Sequence, residues 1–344
     1  MPQEHDTNEI VPPRVFVADR GDDRLRLDLV LCRHLKDVSG ATRTKIQAAI
    51  AEGRVTIDDR VVSRPSARVL AAQRITLDPR GFAPRRRSVT PQEQPLRVVY
   101  EDGYLLIIDK PAGLVVHPTY AHADGTLMNG LLWRARQWTS GERPSLVGRL
   151  DKATSGIVLV AKTRAAHAAL QRTLSSRHAE KYYVAVVYGR VTPARGRITA
   201  PLGRDPQDRR RVVVSADGAP SETRYERIDT GHLGGERLSL VRCRLMTGRM
   251  HQIRVHLASR GWPIVGDAKY ATPPRAAAND EAYARAVGAL AGQALHAERL
   301  AFDHPWSGQR IECTVPLPED WQALLRVAGL SLAPAATTTP SGRR

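Results

Sequence analysis

The stretch Val147-Gly148-Arg149-Leu150-Asp151-Lys152-Ala153-Thr154-Ser155-Gly156 runs straight into Ile157-Val158-Leu159-Val160-Ala161. The second half is apolar enough to be a buried strand, so the chain must fold other elements over it. The first half is a short turn that places one carboxylate, Asp151, between the cations Arg149 and Lys152. Taken alone, such a carboxylate is either an ion-paired loop residue or a chemical group, and the former is the commoner. The rest of the chain decides between them.

The 344 residues suffice for about two domains with real cores. An apolar fraction of 42% and a charged fraction of 25% are those of a soluble globular protein. The net charge of +17 is the unusual quantity, and of the 52 basic residues only seven are lysine. Arginine offers planar forks for phosphate and stacks on bases, which points to a nucleic acid partner. A biased genome explains Arg in place of Lys, but not the excess of positive charge. Cys32, Cys243 and Cys313 are odd in number and scattered, so neither a disulfide framework nor a zinc site is indicated. The N-terminus has no apolar core of a secretory signal, and no apolar run approaches the ~18 residues of a membrane span. A cytoplasmic monomer with no membrane contact is expected.

Residues 1–20 read as a loose polar arm. From Arg24, Leu25, Leu27, Leu29, Val30, Leu31 and Leu35 predict a short helix broken at Ser39-Gly40, and a second helix runs from about Thr42 to Glu52, closed by Gly53. Arg54 to Val62 alternates around a polar centre, a hairpin pattern, and Arg74 to Leu77 is a further strand. Residues 21–80 thus form a small α+β module with a cationic face at Arg43, Lys45 and Arg54. This module resembles the RNA-binding module named after ribosomal small-subunit protein four, through Arg26-Leu27-Asp28, Thr42 to Gln47, Gly53-Arg54-Val55 and the hairpin. The resemblance implies RNA contact through Arg43 and Lys45. Asn-Gly is usual at the hairpin tip, where this chain has Asp59-Arg60.

Residues 81–95, rich in Pro and Arg and without periodicity, read as a linker. A second domain spans 96–328. Leu96 to Tyr100 and Tyr104 to Asp109 flank a hairpin with Asp102-Gly103 at its tip. Leu114 to Val116 reads as a short strand and Thr126 to Trp138 as a helix. Arg164 to Arg177 reads as a helix, Lys181 to Gly189 and Leu238 to Leu245 as strands, and Pro201 to Pro220 as a basic loop. Thr247 to Ala258 should turn at Gly248 and continue as a helix that Thr247 could cap, with His251 and Arg254 on one face and Ile253 and Leu257 on another. Leu295 to Ile311 adds a pair of strands and Trp321 to Val327 a terminal helix. The tail 329–344 is low-complexity and expected to be disordered.

Strands and helices so mixed, with hairpins present, predict an α+β fold around a mixed, mainly antiparallel sheet. There is no GxGxxG, no phosphate-binding loop and no paired-carboxylate motif, and the histidines 117, 122, 251 and 256 lack metal-ligand spacing. No cofactor and no metal are expected. What remains is a lone Asp in a cationic turn, an Arg/His-rich helix and several tyrosines. A single carboxylate of this kind suits nucleophilic or addition chemistry on a nucleoside.

Four separated motifs resemble the RluA-type pseudouridine synthases. They are Lys110-Pro111-Ala112-Gly113-Leu114-Val115-Val116-His117-Pro118; Arg149-Leu150-Asp151 with Thr154-Ser155-Gly156; Lys181-Tyr182-Tyr183-Val184-Ala185; and Thr247-Gly248-Arg249 with His251 to His256 and Gly266-Asp267. The usual His before Arg-Leu-Asp is Gly148 here, as in the related RsuA-type branch. The resemblance implies isomerisation of uridine to pseudouridine in RNA without cofactor or metal. Large-subunit ribosomal RNA is the expected substrate and transfer RNA the alternative. Asp151 would attack the pyrimidine ring or the anomeric carbon, or assist glycosidic cleavage as a base. Arg149 would fill the space of a flipped nucleotide, Tyr183 would stack on the extruded base, and Arg254 would pair with Asp151. Arg249 and His251 would bind substrate. Taken singly, Tyr183 could equally pack the core and Arg254 hold a phosphate. Two other readings remain: an RNA-binding assembly factor that kept the fold, against which Asp151 stands, and a base-excising glycosylase, against which the N-terminal module stands.

Overall fold

The computed structural model describes residues 13–35, 38, 41–80, 82, 89–118, 122, 124–139, 141–272 and 280–332. The chain forms two compact units, 1–88 and 89–344.

In the first unit, β1 (Arg14–Val17), α1 (Leu27–His34), α2 (Arg43–Ala51), β2 (Val55–Ile57), β3 (Arg60–Val61) and β4 (Arg74–Leu77) follow in order. The strands pair antiparallel as β1-β4-β2-β3. Leu27, Val30, Leu31, Ile46, Ile50, Ile75 and Leu77 are buried between helices and sheet, as the helical spacing demands. Residues 14–17, expected within a loose arm, are instead an edge strand in register from Arg14↔Leu77 to Val17↔Arg74, anchored by Phe16 stacked on His34. The hairpin tip also differs from expectation. Ile57 pairs with Arg60, so Asp58 and Asp59 make the turn, both with positive φ (48° and 65°). Such a two-residue turn needs left-handed residues, and the Asp58 carboxylate supports it by accepting from the Arg74 backbone N–H at 2.9 Å. The helix stop at Ser39-Gly40, residues 1–12 and the run Arg85-Arg86-Arg87 lie outside the described residues.

The second unit contains β5 (Arg97–Glu101), β6 (Leu105–Lys110), α3 (Leu127–Ala135), β7 (Ser145–Leu146), β8 (Ser155–Ala161), α4 (Arg164–Ser175), β9 (Glu180–Tyr188) and β10 (Arg195–Ile198). Then come β11 (Leu202–Arg204), β12 (Val212–Val214), β13 (Thr223–Leu233), β14 (Glu236–Leu245), α5 (Gln252–Ser259), α6 (Glu281–Gly288), β15 (Leu295–Asp303), β16 (Arg310–Thr314) and α7 (Asp320–Ala328). Among the described residues one large sheet runs β10-β13-β14-β9-β15-β8-β6-β5, with β16 on β15 and β7 on β8. Only β8 and β15 run parallel, so the sheet is mixed and mainly antiparallel, the α+β fold that the sequence predicts.

All seven residues of β8 are buried, as its continuous apolar run requires. Its start is pinned by Gly156, where φ is +107° and a Cβ would overlap the Ala297 backbone of β15. One core gathers Leu106, Ile108, Leu131, Val158, Val160 and Phe302; the other gathers Val186, Leu240, Ile253, Leu257, Trp321 and Leu324. Tyr183 packs against both.

In this unit five points depart from expectation. Leu114 to Val116 is a loop rather than a strand, because the Val115 and Val116 carbonyls accept from the first N–H groups of α3. The loop 201–220 contains the two-stranded hairpin β11–β12. Strand β13 and helix α6 are additions to the elements read from sequence. The helix expected from Gly248 starts at Gln252, because Thr247 donates its hydroxyl to Gln252 Oε1 (2.8 Å) instead of capping. The tail expected from residue 329 begins in order, with Gly329 capping α7 and Leu330 buried. Residues 333–344 lie outside the described residues. Among the described residues no helix is long and apolar enough to cross a membrane.

Candidate active site

The turn 148–154 is held from both sides. Lys110 Nζ donates to the carbonyls of Pro111 (2.8 Å), Leu114 (3.2 Å) and Lys152 (3.1 Å), and Gly113 N–H also donates to Lys152 O. On the other side Gln293 Nε2 donates to Thr154 Oγ1 at 2.7 Å. A turn with so many fixed backbone groups has little freedom, and it delivers the Asp151 carboxylate, 28% exposed, into a cavity of about 890 Å³. Arg149, Tyr183, Arg249, His251 and Arg254 line the same cavity. Among its described lining residues Asp151 is the only carboxylate, which removes paired-carboxylate acid and base chemistry.

Arg254, on α5 and only 7% exposed, divides its guanidinium between two acids. Nη1 donates to Asp151 Oδ2 at 2.6 Å, while Nε and Nη2 donate to Asp267 Oδ2 and Oδ1 at 2.7 and 2.8 Å. Burial opposes both charges, but the fork contacts prevail: Arg254 is held above its ordinary value and Asp267 below the usual carboxylate range. The backbone N–H groups of Lys269 and Tyr270 add two further bonds to Asp267 Oδ1. The pairing of Asp151 with Arg254 that the sequence suggested is therefore present, with Asp267 behind it.

Tyr183 is half-buried on β9. Burial, and secondarily the charge of Asp151, push its phenol up, so the ring stays neutral beside the carboxylate. His251 caps α5 with a left-handed backbone (φ 54°); its Nε2 lies 3.8 Å from Asp151 Oδ1 and its Nδ1 2.7 Å from Tyr270 Oη. Burial pulls His251 below its ordinary value despite Asp151. Arg149 and Arg249 are exposed at the cavity, Arg249 reaching the Pro220 carbonyl at 3.4 Å.

Arg43 and Lys45 lie on α2 of the first unit. Arg43 donates to Asp28 Oδ2 from Nη2 (2.9 Å) and Nε (3.2 Å), and Arg26 and Gln47 engage the same buried carboxylate. Arg43 is thus occupied by an ion pair within its own unit. One group among the described residues, Asp19, Asp22 and His34, has metal-ligand spacing, but Arg33 already pairs with both carboxylates at 3.1 and 2.9 Å.

Three residues that sequence reasoning left without a role belong to this site: Lys110, Asp267 and Tyr270. Burial draws Lys110 down to about 8 while Asp151 and Asp109 favour its charge. Lys110 and Asp267 stand inside motifs that the sequence singled out, and Tyr270 follows Gly266-Asp267 by three residues, so proximity in sequence was the available signal.

A cavity with one fixed, ion-paired carboxylate, an aromatic wall and cationic edges suits attack on a nucleoside. Comparison with known proteins agrees. Residues 104–259 match the family model of RNA pseudouridylate synthases. The chain is 39% identical over 302 residues to the ribosomal large subunit pseudouridine synthase D of Xanthomonas campestris, covering 87% of this chain and 88% of that one. The Pseudomonas aeruginosa protein of the same name is 37% identical, with coverages of 87% and 91%. Among solved structures, human RNA pseudouridylate synthase domain containing 1 superposes with a TM-score of 0.51 at 26% identity, over 65% of this chain and 84% of that one. On these matches the chain belongs to the RNA pseudouridylate synthase family, and it is an isomerase.

Proposed function

We propose that this enzyme converts uridine to pseudouridine in large-subunit ribosomal RNA, with Asp151 as the reacting carboxylate. The single observation that carries the reading is Asp151 held at 2.6 Å by an arginine that Asp267 fixes from behind. An arginine so placed fixes one carboxylate oxygen and leaves the second facing the cavity. The reaction breaks the bond from the sugar C1′ to N1 and joins C1′ to C5; the C5 proton leaves and N1 gains one, so no redox partner is needed.

A uridine in structured RNA must leave its stack first, at a cost of a few kcal/mol. Arg149, exposed beside Asp151, takes up the vacated space, and Tyr183 stacks on the extruded base, worth ~1 to 3 kcal/mol. Arg249 and His251 line the cavity on the α5 side and bind the nucleotide. The cavity volume of about 890 Å³ lies within the range that encloses a small molecule. The first unit, with Arg43 and Lys45 on α2, serves as an RNA-binding module like that of ribosomal small-subunit protein four. The large-subunit substrate follows from the names of the Xanthomonas and Pseudomonas relatives and from the basic charge of the chain.

The test is release of tritium from RNA labelled at uracil C5. Wild-type protein should release it from large-subunit ribosomal RNA, and Asp151→Asn should stop release while RNA binding stays within about twofold. Full activity in that variant would refute the assignment of Asp151. Release from transfer RNA alone would refute the ribosomal substrate.

A further inference from the structure

Tyr270 touches each group that holds Asp151. Its backbone N–H donates to Asp267 Oδ1 at 3.2 Å, and its ring centroid lies 5.0 Å from the Arg254 guanidinium and 5.4 Å from that of Arg211. Its hydroxyl oxygen accepts the Val212 backbone N–H at 2.9 Å, which ties it to the β11–β12 hairpin. The same oxygen lies 2.7 Å from His251 Nδ1.

The hydrogen bonds of the Tyr270 hydroxyl favour one His251 tautomer. The phenol oxygen already accepts the Val212 N–H, so turning its own proton toward Nδ1 uses its donor as well and leaves no phenolic proton unpaired. A neutral imidazole that accepts at Nδ1 carries its hydrogen on Nε2. Burial and the neighbouring cations Arg254 and Lys269 favour the neutral ring, against Asp151 and Asp267. The Nε2–H then faces Asp151 Oδ1, across 3.8 Å, while Arg254 holds Oδ2.

We infer that Tyr270 is a positioning residue for the uridine isomerisation, fixing the His251 tautomer whose Nε2–H steadies the free oxygen of Asp151. The inference rests on Asp151 being the reacting carboxylate. Docking of the β11–β12 hairpin becomes part of the arrangement, because the Val212 N–H occupies one acceptor site of the phenol and so favours its donor role toward His251.

The full chain with ¹⁵N-labelled histidine reads the tautomer directly by NMR. His251 should be the Nε2–H form in wild type and a mixture in Tyr270→Phe, which keeps the ring between Arg254 and Arg211. In tritium release, Tyr270→Phe should lower kcat about tenfold, the scale of one lost hydrogen bond, with KM within about twofold. His251→Gln should do likewise, and the double variant should be no slower than the slower single variant. A wild-type Nδ1–H tautomer, an unchanged kcat in Tyr270→Phe, or additive losses would each overturn the inference. The wild-type spectrum decides even if Tyr270→Phe folds poorly. A wild type that releases no tritium would instead count against the proposed function, and the spectrum would still report what Tyr270 does.

Discussion

Arg254 reaches Asp151 at 2.6 Å across 103 residues of sequence, while Asp267 fixes its other two donor nitrogens. Removing the guanidinium should damage both chemistry and fold. Arg254→Gln leaves Asp267 buried without its cation, a loss on the order of 3 kcal/mol in unfolding free energy. Activity should fall at least about 100-fold, since ~3 kcal/mol of charge stabilisation goes with the arginine. Arg254→Lys keeps the charge but has no fork, so it should recover part of the stability and little of the rate. Urea denaturation and single-turnover tritium release check both; a Lys variant with wild-type rate would show that the fork geometry is irrelevant.

Asp28 makes the first unit sensitive to acid. Its side chain is fully enclosed, and although burial works against the charge, the hydrogen bonds from Arg26, Gln47 and Arg43 hold it at about 2. An unfolded Asp titrates near 3.9, so the folded form binds its proton less readily. The stabilisation is therefore complete above about pH 4 and is lost as pH falls toward 2, amounting to roughly 2 kcal/mol. Hydrogen exchange of the α1 and α2 amides should show that loss between pH 4 and 2. Asp28→Asn should exchange faster at pH 7, and equal protection in the two proteins would remove Asp28 from the account.

Gly156 and Gly148 share positive φ but should respond differently to alanine. At Gly156 a Cβ would overlap the Ala297 backbone, so Gly156→Ala must part β8 from β15. A cost above about 3 kcal/mol, or insoluble protein, is expected. At Gly148, with φ +93°, a Cβ would meet nothing within 4 Å. Only the backbone preference is lost there, about 1 to 2 kcal/mol. Thermal denaturation of the two variants ranks them; equal costs would mean that the close approach of the two strands is not what demands Gly156.

Strand β8 was legible because a continuous apolar run has one sensible place, inside a covered sheet. The partnership of Asp151 with Arg254 was legible for a different reason, since a lone carboxylate in a chemical role needs a cation. Strand β13 was hidden by a bulge between Arg227 and Asp229 that shifts its alternation halfway along. The start of α5 was misplaced because Gln252 and a left-handed His251 do the work expected of Thr247, and neither residue type advertises a helix start. The roles of Asp267 and Tyr270 depend on how the Arg254 fork is shared, which spacing alone does not encode. Arg43 was read as an RNA contact; that the buried Asp28 also engages it is visible only in three dimensions.

Arg149 offers the sharpest separation of folding from function. It is exposed, so Arg149→Ala should change unfolding free energy by less than about 0.5 kcal/mol. If it fills the space of a flipped uridine, its value depends on there being a stack to hold open. The cost of extrusion is a few kcal/mol in a duplex and far less in a single strand. Arg149→Ala should therefore lose roughly 10- to 100-fold in kcat/KM on a structured ribosomal fragment. On a short single-stranded RNA with the same uridine it should lose no more than a few-fold. Measuring tritium release from both RNAs with one enzyme preparation cancels differences in active fraction. Equal losses on the two substrates would mean that Arg149 binds phosphate generally, and the space-filling role would fall.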